Sequence, residues 1–411
     1  MSSAPGYLAL LQNNAPFRWL WLGVVVSFFG DWFSTIALYE VAEQLSGRAG
    51  AIATILIAKS LPIFLVSPIA GPLIDRFDRR NLLIVTDVAR SLLTLAMVAA
   101  WWAESFPAII AFVVLKVVFS GIFIPGRTAV IPQVTSFDEL PVAMALSGGT
   151  WSVMLAFGAA LGGLVTAGIG VTGALVLDAI TFLVSAAFLA RLPALPPQPD
   201  KTASQTSSFL EGLRYLRGRS YLTAVLLGKA GLAVTTGALV TLPAFGNGLF
   251  PETAGPAFVG LLYAARGVGA MMGSLGTRRI VGDDARSLAF SLVPGYLTAA
   301  LGLAGVSLAP TLAWAAGGYV VNMVGHATVW VFTGILAQRA TPQGLRGRLF
   351  AMEFGLLTLI SASASFLAGH AIDTFGYDAR QVTGAVAGLM TVPAGLFSLV
   401  LLTTGVREDR T

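Results

Sequence analysis

Apolar segments of about 20 residues follow one another along almost the whole of this 411-residue chain, and nothing else restricts its fold as tightly. That is the length an α-helix needs to cross a hydrocarbon core of ~30 Å. In lipid each such segment must be helical, because its backbone polar groups find no water to bond. Only 11% of the residues are charged and 56% are hydrophobic, where a soluble domain carries roughly a quarter charged. The chain is expected to be an all-α integral membrane protein with almost no soluble part.

Twelve spans fit the apolar runs: 17–42, 50–72, 81–102, 106–127, 140–168 and 172–193, then 220–245, 255–277, 287–308, 310–338, 346–371 and 381–405. The first run carries Asp31 in its middle and lacks a small-residue cleavage site, so it reads as a retained span. Residues 7–14 are expected to form a short interfacial helix. Between the two sets of spans, Pro193 to Pro199 is too proline-rich to be helical. Ser208 and Glu211 then fit a capping box opening an amphipathic cytoplasmic helix through Arg217. The expected organisation is a bundle over 1–193, a linker over 194–219 and a second bundle over 220–411.

The sequence is basic, with a pI near 9.7, but its cations occupy alternate loops. Arg76, Arg79 and Arg80 fill one, Arg191, Lys201, Arg214, Arg217 and Arg219 the next, Arg278, Arg279 and Arg286 a third, and Arg339, Arg346 and Arg348 a fourth. By the positive-inside rule these loops and both termini lie in the cytoplasm. No basic stripe with interleaved aromatics points to nucleic acid. With no cysteine and only His326 and His370, neither a thiolate site nor a zinc site is expected. There is no phosphate-binding loop, no H-E-x-x-H and no nucleophile–base pair, which excludes the usual enzyme and ATP-driven pump signatures. Neither cofactor nor metal is expected.

Two spans meet at Gly71-Pro-Leu-Ile-Asp75-Arg76-Phe-Asp78-Arg79-Arg80, and a degraded copy, Gly273-Ser-Leu-Gly-Thr277-Arg278-Arg279, recurs in the second half. The first resembles the loop between helices 2 and 3 of the major facilitator superfamily. Phe17-Arg-Trp-Leu-Trp-Leu-Gly, Ser27-Phe-Phe-Gly30-Asp31-Trp32, Glu211 to Arg217 and Arg346-Gly347-Arg348 look like the macrolide-efflux and enterobactin-exporter branch of that family. The resemblance implies the major facilitator fold, twelve transmembrane helices in two pseudo-symmetric six-helix bundles with a site between them near the midplane. It also implies proton-driven export of amphipathic molecules. Gly158-Ala159-Ala-Leu-Gly162-Gly163 is similar to an antiporter signature, with Ala159 where proline is expected. Lys116 stands roughly where drug antiporters carry a basic residue, with Gly121 one position late.

Gly71, Asp75, Arg76, Arg79 and Arg80 are thus candidates for a cytoplasmic gate, Asp75 at the N-terminal end of a neighbouring helix and the arginines bridging to carboxylates of adjacent helices; the plainer reading is that they only set topology. Internal echoes pair Arg127-Thr-Ala-Val-Ile-Pro132-Gln133 with Gln338-Arg339-Ala-Thr-Pro342-Gln343, and Asp87-Val-Ala-Arg90 with Asp284-Ala-Arg286.

Charge inside a membrane is costly and marks a functional site by default. Asp31, Lys59 and Lys116 each lie roughly 15 Å from the outer end of their spans and so fall at one depth, while Asp178 is shallower, at about 9 Å. Lys229 and Glu353 share a depth in the second half, and Arg266 and His326 lie near its middle. Asp31 is the first candidate for carrying a proton and Glu353 the second, since burial and a nearby cation act in opposite senses on a carboxylate. Static ion pairs that staple helices are the alternative. Trp32 and Trp151 are candidate cavity aromatics.

The leading expectation is a monomeric, proton-coupled antiporter in a bacterial inner membrane, exporting drugs or other amphipathic small molecules by rocker-switch alternating access. Its partners would be the substrate, protons and membrane lipids, with the proton gradient as energy source. Alternatives are a dedicated exporter of one anionic metabolite such as a siderophore, or a lipid scramblase or transporter-like sensor without coupling.

Overall fold

A computed structural model describes residues 6–196, 214–250, 254–282, 284–341 and 346–404. The expected capping box at Ser208, together with Lys201 and Pro342, lies outside these residues. Eleven helices among the described residues are long and apolar enough to cross a membrane. After the short α1, Tyr7–Asn13, the first half holds α2 (Ala15–Leu45), α3 (Ala49–Arg76), α4 (Arg79–Trp102), α5 (Phe106–Val134) and α6 (Leu140–Leu189). The second holds α7 (Ser220–Gly246), α8 (Pro256–Val281), α9 (Ala285–Ser307), α10 (Leu312–Ala340), α11 (Leu349–Phe375) and α12 (Ala379–Thr403).

Helix α6 has 50 residues. A straight helix of that size would run ~75 Å, more than twice a hydrocarbon core. Its backbone breaks at Gly170, with φ 70° and ψ −179°, a conformation open to glycine and strained for other residues. The contacts on either side of the break show a reversal. Trp21 on α2 donates a hydrogen bond to Thr150 at 2.9 Å, and Trp32 packs against Gly158, so this arm runs parallel to α2. Past Gly170, Gly30 faces Asp178 and Gly23 faces Ser185, so the second arm runs back along the same helix. The single α6 is therefore two spans, divided within 168–172 as the apolar runs predict, and eleven helices hold twelve crossings.

Helix starts follow from the polar residues left between spans. Asn14 accepts the Phe17 N–H at 2.9 Å to open α2, and Asp378 forms a full capping box on α12. Asp78 accepts from Asn81 N–H at the head of α4, and Asp284 accepts from Ser287 N–H at the head of α9. This corrects the register of one internal echo: Asp284 matches Asp78, whereas Asp87 sits inside α4. The Ala-Arg-Ser-Leu lettering shared after Asp87 and Asp284 does not make the two aspartates equivalent, because Asp284 caps a helix and Asp87 is wholly buried.

The described chain forms two compact units. Unit 1 gathers Met1–Gly47, Ala58–Ala203 and Gly255–Ala264; unit 2 gathers Arg48–Ile57, Ser204–Ala254 and Ala265–Thr411. One end of unit 1 is closed by a core in which Phe17, Leu20, Leu83, Phe123 and Leu189 are joined by Leu192 and Leu195. The start of the expected linker is therefore packed and bonded: Leu195 N–H donates to Asp78 at 2.8 Å, and Arg79 N–H donates to the Leu195 carbonyl at 2.9 Å. In unit 2, Asp373 accepts the N–H groups of Ala49 at 3.0 Å and Gly50 at 2.9 Å, which caps the first turn of α3.

Candidate functional site

Unit 1 draws the charges of α2, α3, α5 and α6 into one cluster around Lys116. The ammonium lies 2.6 Å from Asp178, 3.4 Å from Asp31 and 3.1 Å from the Ser34 hydroxyl. Lys59 donates to Thr35 Oγ1, and that hydroxyl donates to the Asp31 carbonyl. Asp178 is deeper than its expected position, for two reasons. Its arm begins at Gly170, which places it ~12 Å inside by helical rise, and the long Lys116 side chain covers the remainder. Gly30 makes the approach possible: a Cβ there would fall 2.5 Å from Asp178 Oδ1.

The two acids of this cluster differ sharply in access. The Asp178 side chain is 0% exposed and that of Asp31 is 37% exposed, with Lys116 at 8% between them. Behind Lys116 lies Phe182, whose ring faces the ammonium at 4.8 Å and the Arg90 guanidinium at 4.4 Å. Arg90 also stacks on Phe123 at 4.1 Å and pairs with buried Asp87. Sequence reading missed this second pair as a site. The available signal was an Asp and an Arg three residues apart within an apolar span, where neither is needed for topology.

Unit 2 is built differently. Lys229 on α7 pairs with Glu353 on α11 at 3.3 Å, and its ammonium faces the Trp330 ring at 5.3 Å. His326 stacks on the same Trp330, with centroids 6.4 Å apart. Arg266 on α8 faces the Tyr319 ring at 5.9 Å. Lys229, His326 and Trp330 thus form one group, with Glu353 as its acid.

At the charged turn of unit 1, Asp75 pairs with Arg79 at 3.8 Å. Arg79 also donates to the Ala129 carbonyl at 3.2 Å, and Arg80 donates to the Ala190 carbonyl at 2.6 Å. One expected arginine–carboxylate bridge is thus present, from Arg79 on α4 to Asp75 on the adjacent α3, whereas Arg80 instead bonds a carbonyl at the C-terminal end of α6, where the dipole favours a cation. Asp75 lies in the last turn of α3. Asp78, absent from the expected gate, caps α4 and holds Leu195. Arg76 faces Phe77 at 5.9 Å, and Gly71 has open space where a side chain would be. The degraded copy in unit 2 is locked by hydroxyls: Thr277 bonds the Gly273 carbonyl and the Thr328 hydroxyl at 2.7 Å.

A sequence model of the Major Facilitator Superfamily matches residues 20–352. The chain belongs to the major facilitator superfamily. Its relatives include the uncharacterized MFS-type transporter YfiS of Bacillus subtilis (strain 168), 25% identical with 95% of this chain and 94% of YfiS covered. The enterobactin exporter EntS of Citrobacter koseri is also 25% identical, with 96% of this chain and 94% of EntS covered. Among solved structures, an auto-inhibited POT family peptide transporter has a TM-score of 0.75 at 11% identity, covering 96% of this chain and 98% of that one; at such identity it attests the fold alone. The superfamily is one of transporters, not enzymes, and this member is a multi-pass membrane protein.

In this major facilitator chain the glycine-rich run of α6 seats Trp32. A Cβ on Gly158 would fall 2.7 Å from the indole and one on Gly162 2.8 Å from the Trp32 carbonyl. Gly163 meets the segment 256–260, also in unit 1, with a Cβ 2.6 Å from the Pro256 carbonyl. Small residues here buy close helix approach. The two candidate aromatics part ways: Trp32 packs on Tyr263 with centroids 5.3 Å apart, while Trp151 is 52% exposed.

Proposed function

We propose that this superfamily member is a proton-coupled exporter of small amphipathic molecules, working by rocker-switch alternating access in a bacterial inner membrane with both termini cytoplasmic. One observation carries the reading: Lys116 serves two carboxylates, one sealed and one 37% exposed. When Asp31 accepts a proton, Lys116 keeps Asp178 as its partner, and Lys59 keeps the Thr35 hydroxyl. The proton can therefore be taken up and released without the several-kcal/mol penalty that breaking a buried pair incurs. A rocking motion that alters access to Asp31 would load it on one side of the membrane and unload it on the other.

The exporter names carried by relatives such as EntS favour outward transport. A second reading, a dedicated exporter of one anionic metabolite, draws on the cations Lys59, Lys116, Lys229 and Arg266, which could hold an anion.

A thermal-shift screen of the purified chain against antibiotics, siderophores and lysolipids would nominate a substrate, and its uptake into inverted membrane vesicles would then be followed with and without a proton gradient. Asp31→Asn is expected to fold and insert normally and to lose gradient-driven transport. An Asp31→Asn variant with the parent's pH dependence would refute the coupling assignment. Transport indifferent to the gradient would instead indicate a scramblase.

A further inference from the structure

The repeat that begins at Arg127 has no part in the transport reading, yet Arg127 lines a cavity of ≈ 210 Å³ in unit 1, between α2, α5 and the first arm of α6. Arg127 lies seven residues from the end of α5, ~10 Å along the helix from its last residue, at the inner end of the span expected over 106–127. Its guanidinium faces the Phe28 ring at 4.8 Å, and among the described residues no carboxylate lies within ion-pair distance of it. A membrane arginine is retained where an acid, a carbonyl or a wet cavity receives it. Here the cavity does so, and it contains no acidic side chain.

The remaining walls define what would fit. The Trp21 indole and the Met144 side chain provide apolar surface, the Ser147 hydroxyl provides a second donor, and Gly148 leaves open space, with nothing within 4 Å of where its Cβ would lie. The Trp21 N–H is already committed to Thr150, so its ring face is what the cavity offers.

We propose that this cavity is a binding site for small aromatic carboxylates, distinct from the Lys116 cluster, with Arg127 holding the carboxylate and Trp21 and Met144 holding the ring. A planar guanidinium matches a carboxylate with two parallel hydrogen bonds, and an aromatic ring fills the apolar part. The site repels organic cations, because Arg127 is not neutralised.

The test uses the purified full-length chain in detergent, with benzoate as probe and benzamide as its neutral counterpart, read by isothermal titration calorimetry and by tryptophan fluorescence. Benzoate is expected to bind and benzamide to bind at least tenfold more weakly. Arg127→Gln should weaken benzoate at least tenfold, with Arg127→Lys in between. Gly148→Leu fills the cavity while keeping the arginine, and should abolish binding even if Arg127→Gln fails to fold. Trp21→Phe should remove the fluorescence response and leave calorimetric binding. Equal affinity for benzamide, or benzoate binding unchanged in Arg127→Gln or Gly148→Leu, overturns the proposal. No proton gradient enters these measurements, so their failure leaves the export reading standing, and loss of gradient-driven export leaves this site standing.

Discussion

The charged cluster of unit 1 and that of unit 2 use the same chemistry with different arithmetic. Lys116 has two acids within ion-pair distance, with Lys59 held beside them on Thr35, and one of the acids is 37% exposed. Around Lys229 there is one acid, and both partners are largely sealed, at 16% and 6% exposure. A spare, accessible acid permits a change of protonation with the lysine still paired. A one-to-one buried pair does not: neutralising either member strands the other. On the proposed reading the two halves divide their tasks, unit 1 responding to protons and unit 2 holding a fixed charge pattern.

The largest expected effect tests the inequality inside unit 1. Asp178→Ala removes the sealed partner of Lys116 and should cost on the order of 3–5 kcal/mol of stability, as loss of one member of a buried pair does. Asp31→Ala, at a half-open position, should cost no more than about 1 kcal/mol. Thermal unfolding of both variants in the same detergent checks this, and equal losses would erase the distinction between the two acids.

Next comes the pair in unit 2. Glu353→Leu alone should destabilise by about 3 kcal/mol, and adding Lys229→Met should recover most of that, because an ion pair replaced whole by apolar groups is close to neutral. If the double variant also keeps the parent's proton dependence in vesicles, coupling belongs to unit 1. If that dependence disappears while stability is restored, Glu353 carries protons and the division of tasks is wrong.

How much of this was legible in the sequence depends on the range of the interaction. The spans were readable because hydrophobic length and backbone satisfaction act locally, and the division of α6 near Gly170 showed as a gap between two apolar runs. Asp31, Lys59 and Lys116 could be placed at one depth by counting residues. That count misplaced Asp178, since a lysine side chain several ångströms long bridges levels that helical rise keeps apart. Asp87 and Arg90 escaped notice because their value lies in Phe123 and Phe182, aromatic partners on other helices. Asp78 was hidden among the topology charges, its role fixed by Leu195, more than a hundred residues away.

A smaller effect compares the matched caps at the heads of α4 and α9. Asp78→Ala removes both a helix cap and the bond to Leu195, and should cost about 1–2 kcal/mol. Asp284→Ala removes only a cap on an exposed turn and should be clearly the milder change by thermal unfolding. Equal effects would mean that Leu195 is not held by Asp78, and that unit 1 has no firmer hold on this end than unit 2 has on the head of α9.

The finest test of that asymmetry is a pH profile. Glu139 accepts the Ser136 N–H at 2.9 Å and an Asn14 N–H at 3.0 Å, tying the loop before α6 to the start of α2. The Ser136 backbone bond, aided by Asn14, holds the Glu139 carboxyl below the usual range. A carboxyl depressed by folding adds stability above its unfolded pKa of about 4.3, and that stability fades as pH falls through the lower folded value. The gap in melting temperature between the parent and Glu139→Gln should therefore be steady from pH 7 to 5 and close below about pH 4. Asp284 is likewise depressed, by the Ser287 N–H, but its bonds stay within its own turn. Asp284→Asn should thus show the same sign with a smaller gap. A gap that persists unchanged at pH 3 would show that Glu139 acts through its shape and not its charge, and would remove it from the electrostatic hold on unit 1.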